Sequence, residues 1–291
     1  MKLSTKTESL TIMKSKFTNP YFQFLFYCLF TVSQISIAQP SNQPQKQTLT
    51  LIQKQELKAT ETKIKSLLSQ NPRVPELHLN LGNNYWQQGR DGKPIRHYLA
   101  AIKLNPNYAE AYYNLANIYF EQGEHELAVE NYEKAIELKP NLLQAWNGLA
   151  NALIDEKKYS EAIEKYQKVI SLDSKNKDAV YNLCSVYIYS ALYNKAISAC
   201  KSATEIVGDA RSFNNLGNSY FRTNQFDLAL DNYKKALSLD SELPEAHFNI
   251  AAISLVHNKN KSEALSHQKI LEVIDPQKGH KLLALIKSSG I

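Results

Sequence analysis

The chain has 291 residues, which is enough for one long domain or two ordinary ones. Hydrophobic residues make up 43% and charged residues 21%, as in folded soluble proteins, and the 9 glycines are too few for a turn-rich β fold. Half of the net charge of +6 falls within the first 38 residues, and no dense block of Lys and Arg occurs, so nucleic acid is not an expected partner.

The N-terminal segment, residues 1–38, has the pattern of an export signal. Lys14 and Lys16 precede a strongly apolar run at 22–32, and positions 36–38 have the small-x-small pattern of a cleavage site. We therefore expect an exported protein, periplasmic or secreted. The alternative is a retained anchor that holds the chain at a membrane, facing outside the cytoplasm. The apolar run is shorter than the roughly 20 residues that a spanning helix needs, which favours cleavage.

Two short segments come after the signal. Residues 39–47 are rich in Pro, Gln, Asn and Ser and are predicted to be a flexible linker. Residues 48–72 place Leu57, Ile64 and Leu67 at helical spacing, so we expect a helix that caps the N-terminal end of the central segment.

The central segment, residues 75–276, repeats itself. Pro72, Pro106 and Pro140 are 34 residues apart, and the same period runs on with small shifts. Six repeats begin at Pro75, Ala109, Leu143, Lys177, Ala210 and Pro244. Their shared positions are Leu or Ile at seven, a small residue at eight, mostly Tyr at eleven, mostly Ala at twenty and mostly Tyr at twenty-four; in the second repeat these are Leu115, Ala116, Tyr119, Ala128 and Tyr132.

Each repeat predicts two antiparallel helices, A and B, joined by a short turn near position fifteen. Small residues at positions eight and twenty let the two helices approach, and the large residues fill the space beside them. In the first repeat Pro94 stands at position twenty. Because proline is tolerated only in the first turn of a helix, that helix B is expected to begin late.

This period and residue pattern resemble the tetratricopeptide-repeat (TPR) family over residues 75–276. The resemblance implies an all-α fold, a TPR α-solenoid in which helix-turn-helix repeats form a right-handed superhelix. It also implies a protein-protein interaction scaffold whose A helices line a concave groove that binds an extended peptide or protein segment. A second hypothesis is an accessory subunit of an envelope enzyme, such as a glycosyltransferase or a cell-wall enzyme, and a third is a cytosolic adaptor.

Asparagines recur at two positions that the family places in the groove. Positions six and nine hold Asn80, Asn83, Asn114, Asn117, Asn151, Asn182, Asn215 and Asn218. Because an amide is both donor and acceptor, such a row can bond the backbone of an extended peptide. The alternative is that these amides bond neighbouring parts of the repeat itself.

Aromatic residues at positions five and twelve are candidate peptide anchors. They are Trp86, Tyr113 and Phe120, and the alternative is that they pack against the next helix. Acidic residues mark groove positions in the first three repeats, and Arg211 and Arg222 mark them in the fifth.

The last segment, residues 277–287, is predicted to be an orphan helix A with Leu283 and Ala284 facing the repeats. In that register Leu282, Leu285 and Ile286 point away from them. They then form a patch for a partner or for self-association, unless the helix rolls to bury them.

Cys184 and Cys200 occupy positions eight and twenty-four of the fourth repeat, where helices A and B meet. An exported protein encounters oxidising conditions, so these two residues are a candidate disulfide. The alternative is a pair of buried thiols.

No catalytic or metal-binding constellation is evident. The 7 histidines are scattered, and neither a His-Glu-x-x-His motif nor a Gly-rich phosphate loop is present. We therefore expect no enzyme, no cofactor and no metal, and a protein or peptide as partner. Contact with a membrane is expected only if the N-terminal segment is retained.

Overall fold

The computed structural model describes residues 50–90 and 92–289 of the chain. Within those ranges the chain forms fourteen α-helices and no strand, so the predicted all-α fold of helix-turn-helix repeats is confirmed. The predicted signal at 1–38 and the linker at 39–47 lie outside the described residues. In chain order the helices are α1 Leu51–Gln70, α2 Pro75–Gln87, α3 Lys93–Leu104, α4 Ala109–Glu121, α5 His125–Leu138, α6 Leu143–Asp155, α7 Tyr159–Leu172, α8 Lys177–Tyr189, α9 Tyr193–Ile206, α10 Ala210–Arg222, α11 Phe226–Leu239, α12 Pro244–Val256, α13 Lys261–Ile274 and α14 Pro276–Ser288.

The described residues fall into two compact units, 50–182 and 183–289, divided within α8. The even-numbered helices α2 to α12 are the A helices of the six repeats, and the odd-numbered helices α3 to α13 are the B helices. No helix in the described part of the chain is both long and apolar enough to cross a bilayer.

Helix α1 begins with a capping box. The side chain of Thr50 accepts a hydrogen bond from the Gln53 amide at 3.2 Å, and the Gln53 side chain accepts one from the Thr50 amide at 2.8 Å. The helix packs on α2 through only two buried side chains, Glu61 and Ile64. Its docking therefore includes a buried charged group as well as apolar side chains.

A close contact between positions eight and twenty-four joins helix A to helix B. At Gly82 an added Cβ would lie 2.5 Å from Cε1 of Tyr98, and at Gly217 it would lie 2.6 Å from Cε1 of Tyr233. Both tyrosines are fully buried, at 0% exposure. The small residue at position eight is thus required because a tyrosine ring packs directly on it.

The first helix B starts late, as the proline predicts. Helix α3 begins at Lys93 and has Pro94 in its first turn, whereas α5 and α7 begin two repeat positions earlier, at His125 and Tyr159. Pro94 lacks a backbone N–H. The N–H groups of the first turn have no carbonyl partner within the helix, so a proline is tolerated there.

The predicted register of the C-terminal helix is wrong. Leu282, Leu285 and Ile286 are buried, at 0%, 9% and 2% exposure, in a cluster with α12 and α13, whereas Ala284 is exposed. The helix begins at Pro276, one residue earlier than expected, and turns these three apolar side chains inward. The patch expected to support self-association is therefore part of the core.

Candidate functional site

The predicted asparagine row divides into accessible and buried members. Asn80 is exposed, and Asn83 and Asn114 are half-buried. The other five are at most 3% exposed: Asn117, Asn151, Asn182, Asn215 and Asn218. The burial of these five favours the alternative in which the amides bond neighbouring parts of the repeats.

Half-buried and buried amides alike belong to a network of hydrogen bonds within and between repeats. In the first repeat Oδ1 of Asn83 accepts from the hydroxyl of Tyr98 at 2.8 Å and from Nδ2 of Asn114 at 2.9 Å. The tyrosine comes from helix B of the same repeat, and Asn114 comes from helix A of the next repeat. One side-chain oxygen therefore connects three helices.

The same arrangement recurs along the chain. Asn218 accepts from Tyr233 at 2.8 Å and from Asn249 at 2.9 Å. Asn151 accepts from Tyr166 and, at 3.3 Å, from Asn182. Burial raises the pKa of all four position-twenty-four tyrosines, which are therefore neutral donors: Tyr98, Tyr132, Tyr166 and Tyr233.

Sequence reasoning missed these tyrosines as partners, although a signal for them is present. Four repeats have Asn at position nine and Tyr at position twenty-four, fifteen residues later. In the fourth repeat these positions are Ser185 and Cys200, and in the sixth they are Ala252 and Gln268. The two residues are present together or replaced together, as expected for side chains that bond each other.

A disulfide joins helix A to helix B where the tyrosine is missing. Cys184 and Cys200 are bonded, with their Cα atoms 4.7 Å apart, and both side chains are fully buried. They occupy the same two positions as Gly82 and Tyr98. In this repeat a covalent bond thus replaces the tyrosine–asparagine hydrogen bond.

The three candidate anchors lie on A helices of the unit 50–182 and are half-buried. The indole N–H of Trp86 donates to Oε2 of Glu121 at 3.0 Å, which links α2 to α4. Tyr113 packs on Tyr132 with ring centroids 6.1 Å apart. Each anchor therefore both packs within the repeats and keeps part of its surface accessible.

Phe120 extends this surface toward α6. Its ring contacts His125 edge-on at a centroid distance of 5.6 Å, and Nδ1 of His125 lies 3.9 Å from Oδ2 of Asp155. Burial raises the pKa of Asp155, and the charge of His125 partly opposes this shift. The charge of His125 therefore only partly offsets the effect of burial on the Asp155 carboxylate.

Histidines pair in the first and the sixth repeats. The Nδ1 atoms of His78 and His97 lie 3.3 Å apart, and those of His247 and His267 lie 2.8 Å apart. Nε2 of His78 lies 3.2 Å from the carbonyl of Pro72, so His78 donates there and its Nδ1 accepts from His97. Within the ranges that the structure describes, no three His, Cys, Asp or Glu side chains are grouped as a metal site requires.

Two protein-family models match this chain, and both describe the same type of repeat. A model described as tetratricopeptide repeat matches residues 109–142, and one described as TPR repeat matches residues 90–123, 150–188 and 210–254. These segments fall on the A and B helices of the repeats. The chain is a tetratricopeptide-repeat protein.

Solved TPR structures resemble this TPR protein over much of its length. MamA is 27% identical, covering 58% of this chain and 92% of its own, with a TM-score of 0.54. YrrB, described as a TPR protein with an unusual peptide-binding site, is 25% identical, covering 65% of this chain and 97% of its own, with a TM-score of 0.55.

A third structure shares the fold alone. It is the C-terminal part of a TPR repeat-containing protein from Cytophaga hutchinsonii, 17% identical, covering 80% of this chain and 96% of its own, with a TM-score of 0.65. A comparison with curated protein sequences finds no significant match.

Proposed function

We propose that this TPR protein is a protein-protein interaction scaffold that binds an extended peptide or protein segment on its A helices. One observation carries the proposal: α2 and α4 keep Asn80, Trp86, Tyr113 and Phe120 partly or fully accessible. Aromatic side chains held in place by packing are good anchors, since little conformational entropy is lost when they bind. The likeness to YrrB, whose description names a peptide-binding site, supports this.

We also propose that the protein acts outside the cytoplasm. The N-terminal pattern of residues 1–38 motivates this, and the bond between Cys184 and Cys200 supports it because structural disulfides persist in oxidising compartments. N-terminal sequencing of the purified protein tests the location. A mature chain that begins after Ala38 fits export, and an intact N-terminus in the cytosolic fraction contradicts it.

Site-specific photocrosslinking tests the binding face. A photoreactive amino acid at Asn80, exposed on helix α2, is compared with the same residue at Glu133, exposed on helix α5. We expect a protein to crosslink from position 80 and not from position 133. Crosslinking from 133 alone, or from neither position in cells that express the partner, contradicts the proposal. The identity of the crosslinked protein also tests the narrower alternative, an accessory subunit of an envelope enzyme.

A further inference from the structure

Aromatic and acidic side chains form a continuous stripe across the C-terminal ends of α2, α4 and α6. Trp86 contacts Glu121 through its indole N–H, and Phe120, the neighbour of Glu121, contacts His125, which faces Asp155. We call Trp86, Phe120, Glu121, His125 and Asp155 the α2–α6 stripe. Glu121 and Asp155 are exposed, and the rings of Trp86 and Phe120 are half-buried.

The Lys, Arg, Asp and Glu content of helices α2, α4 and α6 is entirely acidic. Helices α2, α4 and α6 contain four carboxylates and no Lys or Arg. Of the four, Glu110 is neutralised by Lys139 at 2.6 Å. Three cations lie just beyond these helices: Arg90 pairs with Glu61 at 3.1 Å, Lys158 pairs with Glu156 at 2.6 Å, and Lys157 is exposed.

Two polar atoms, one at the start of α5 and one on α6, lack a hydrogen bond. Nδ1 of His125 is buried without a hydrogen-bond partner in the described part of the chain, because its 3.9 Å separation from Asp155 is too long for a hydrogen bond. Oδ1 of Asn147, on α6 about two turns before Asp155 and outside the stripe, is also buried and unpartnered among the same residues. Within the stripe, the carboxylate of Asp155 has His125 at 3.9 Å as its ion-pair partner, and its exposed oxygens favour a ligand that brings positive charge.

We propose that the α2–α6 stripe binds a basic, extended segment of a partner protein. Lysine or arginine side chains of that segment pair with Glu121 and Asp155, and their stems or cationic ends pack on the rings of Trp86 and Phe120. The inference rests on the proposed function and names the chemistry of the partner. Charge complementarity of this kind raises the association rate and rejects acidic partners.

The test uses two fluorescent peptides that alternate leucine with a charged residue, one with lysine and one with glutamate. Binding to the full-length, oxidised protein is measured by anisotropy. In a Trp146→Phe background Trp86 is the remaining tryptophan, so its emission reports directly on the stripe. Trp146 is a suitable residue to remove because its indole bonds the carbonyl of Pro140 and takes no part in the stripe.

We expect the lysine peptide to bind, to change the Trp86 emission, and to bind more weakly as salt is raised. The double variant Glu121→Gln/Asp155→Asn should weaken that binding by roughly tenfold. The matched control Glu130→Gln/Glu133→Gln removes two exposed carboxylates from α5 and should leave the affinity unchanged.

Two results would overturn the inference. Equal affinity for the two peptides, with Trp86 still responding, rejects a basic partner while leaving peptide binding by the A helices in place. An affinity for the lysine peptide that is the same in the double variant places its binding elsewhere. Crosslinking from position 80 reports on the proposed function independently, so either result is distinguishable from failure of that function.

Discussion

The hydroxyl of Tyr233 donates a hydrogen bond of 2.8 Å to Oδ1 of Asn218, and both side chains are buried. The same oxygen also accepts from Asn249 of the next repeat at 2.9 Å. Contact between these repeats therefore includes a polar link as well as apolar packing. Such a link is stabilising when every member is paired and costly when one member is removed.

Removal of the shared acceptor should destabilise the protein strongly. Asn218→Ala leaves the Tyr233 hydroxyl buried without its acceptor and leaves the Asn249 amide only its longer bond of 3.4 Å to Asn214, which costs about 3 kcal/mol of unfolding free energy. Tyr233→Phe removes one donor and leaves Asn218 bonded to Asn249, so it should cost about 1 kcal/mol. Urea unfolding followed by circular dichroism measures both. Asn80→Ala, at an exposed amide of the same row, is the control and should change stability by less than about 0.5 kcal/mol.

Reduction of the disulfide should weaken the unit that contains it. Cys184 and Cys200 are 16 residues apart, and a loop of that length is stabilised by about 3 kcal/mol when closed. We expect a reductant to lower the melting temperature of the protein. Because it contains neither thiol, the Cys184→Ala/Cys200→Ala variant should melt at the same temperature with and without reductant. A reductant-sensitive double variant would assign the effect to another group.

Glu61 should make the docking of helix α1 sensitive to acid. Burial raises its pKa, but hydrogen bonds from Lys65 and Gln88 and the charge of Arg90 outweigh burial and lower it from 4.5 to about 2. A lowered pKa means that the stabilisation is complete above pH 4.5 and is lost as pH falls toward 2.

Melting temperatures across that pH range test this expectation. Glu61→Gln should lower the melting temperature most above pH 4.5, and its difference from the native protein should shrink toward pH 2. Glu56→Gln, at an exposed glutamate of the same helix, should show no such convergence. A constant difference for Glu61→Gln would contradict the role of its charge.

The histidine pair of the first repeat should lose its stabilising effect in acid. Burial, together with the charges of His78, Arg96 and Lys65, lowers the pKa of His97 from 6.5 to about 4. The neutral form is therefore favoured in the folded state, and its contribution, complete above pH 6.5, is lost as pH falls through about 4. His97→Asn should flatten the stability profile between pH 6.5 and 4. His280→Asn, at an exposed histidine, should leave the profile unchanged.

The C-terminal helix should depend on its buried leucine. Leu282 is 0% exposed and packs with Leu271 and Leu255, so Leu282→Ala should cost about 3 kcal/mol of unfolding free energy. Leu283→Ala, at the adjacent half-buried position, should cost less. The reverse order in urea unfolding would favour the register in which Leu283 faces the repeats.

The 34-residue period predicted the fold because the residues that recur in it are those that pack helix A on helix B. A small residue at position eight and a tyrosine at position twenty-four recur because a ring such as that of Tyr98 packs on a backbone such as that of Gly82. The late start of α3 was equally predictable from one proline. The asparagine row was less informative, since an amide has the same appearance in a sequence whether it bonds a ligand or a neighbouring repeat.

The sequence by itself determined the helix pairs, their length and their small-residue contacts, because these depend on spacing along a single stretch of chain. Only the tertiary structure decided which asparagines are buried, how α14 is rotated and which aromatic and acidic groups meet between α2 and α6. Those features depend on side chains brought together from helices some thirty residues apart, as in Trp86 and Glu121 at a separation of 35. A rotation of one helix by one residue changes its buried face at almost no cost in local conformation, so local pattern alone does not specify it.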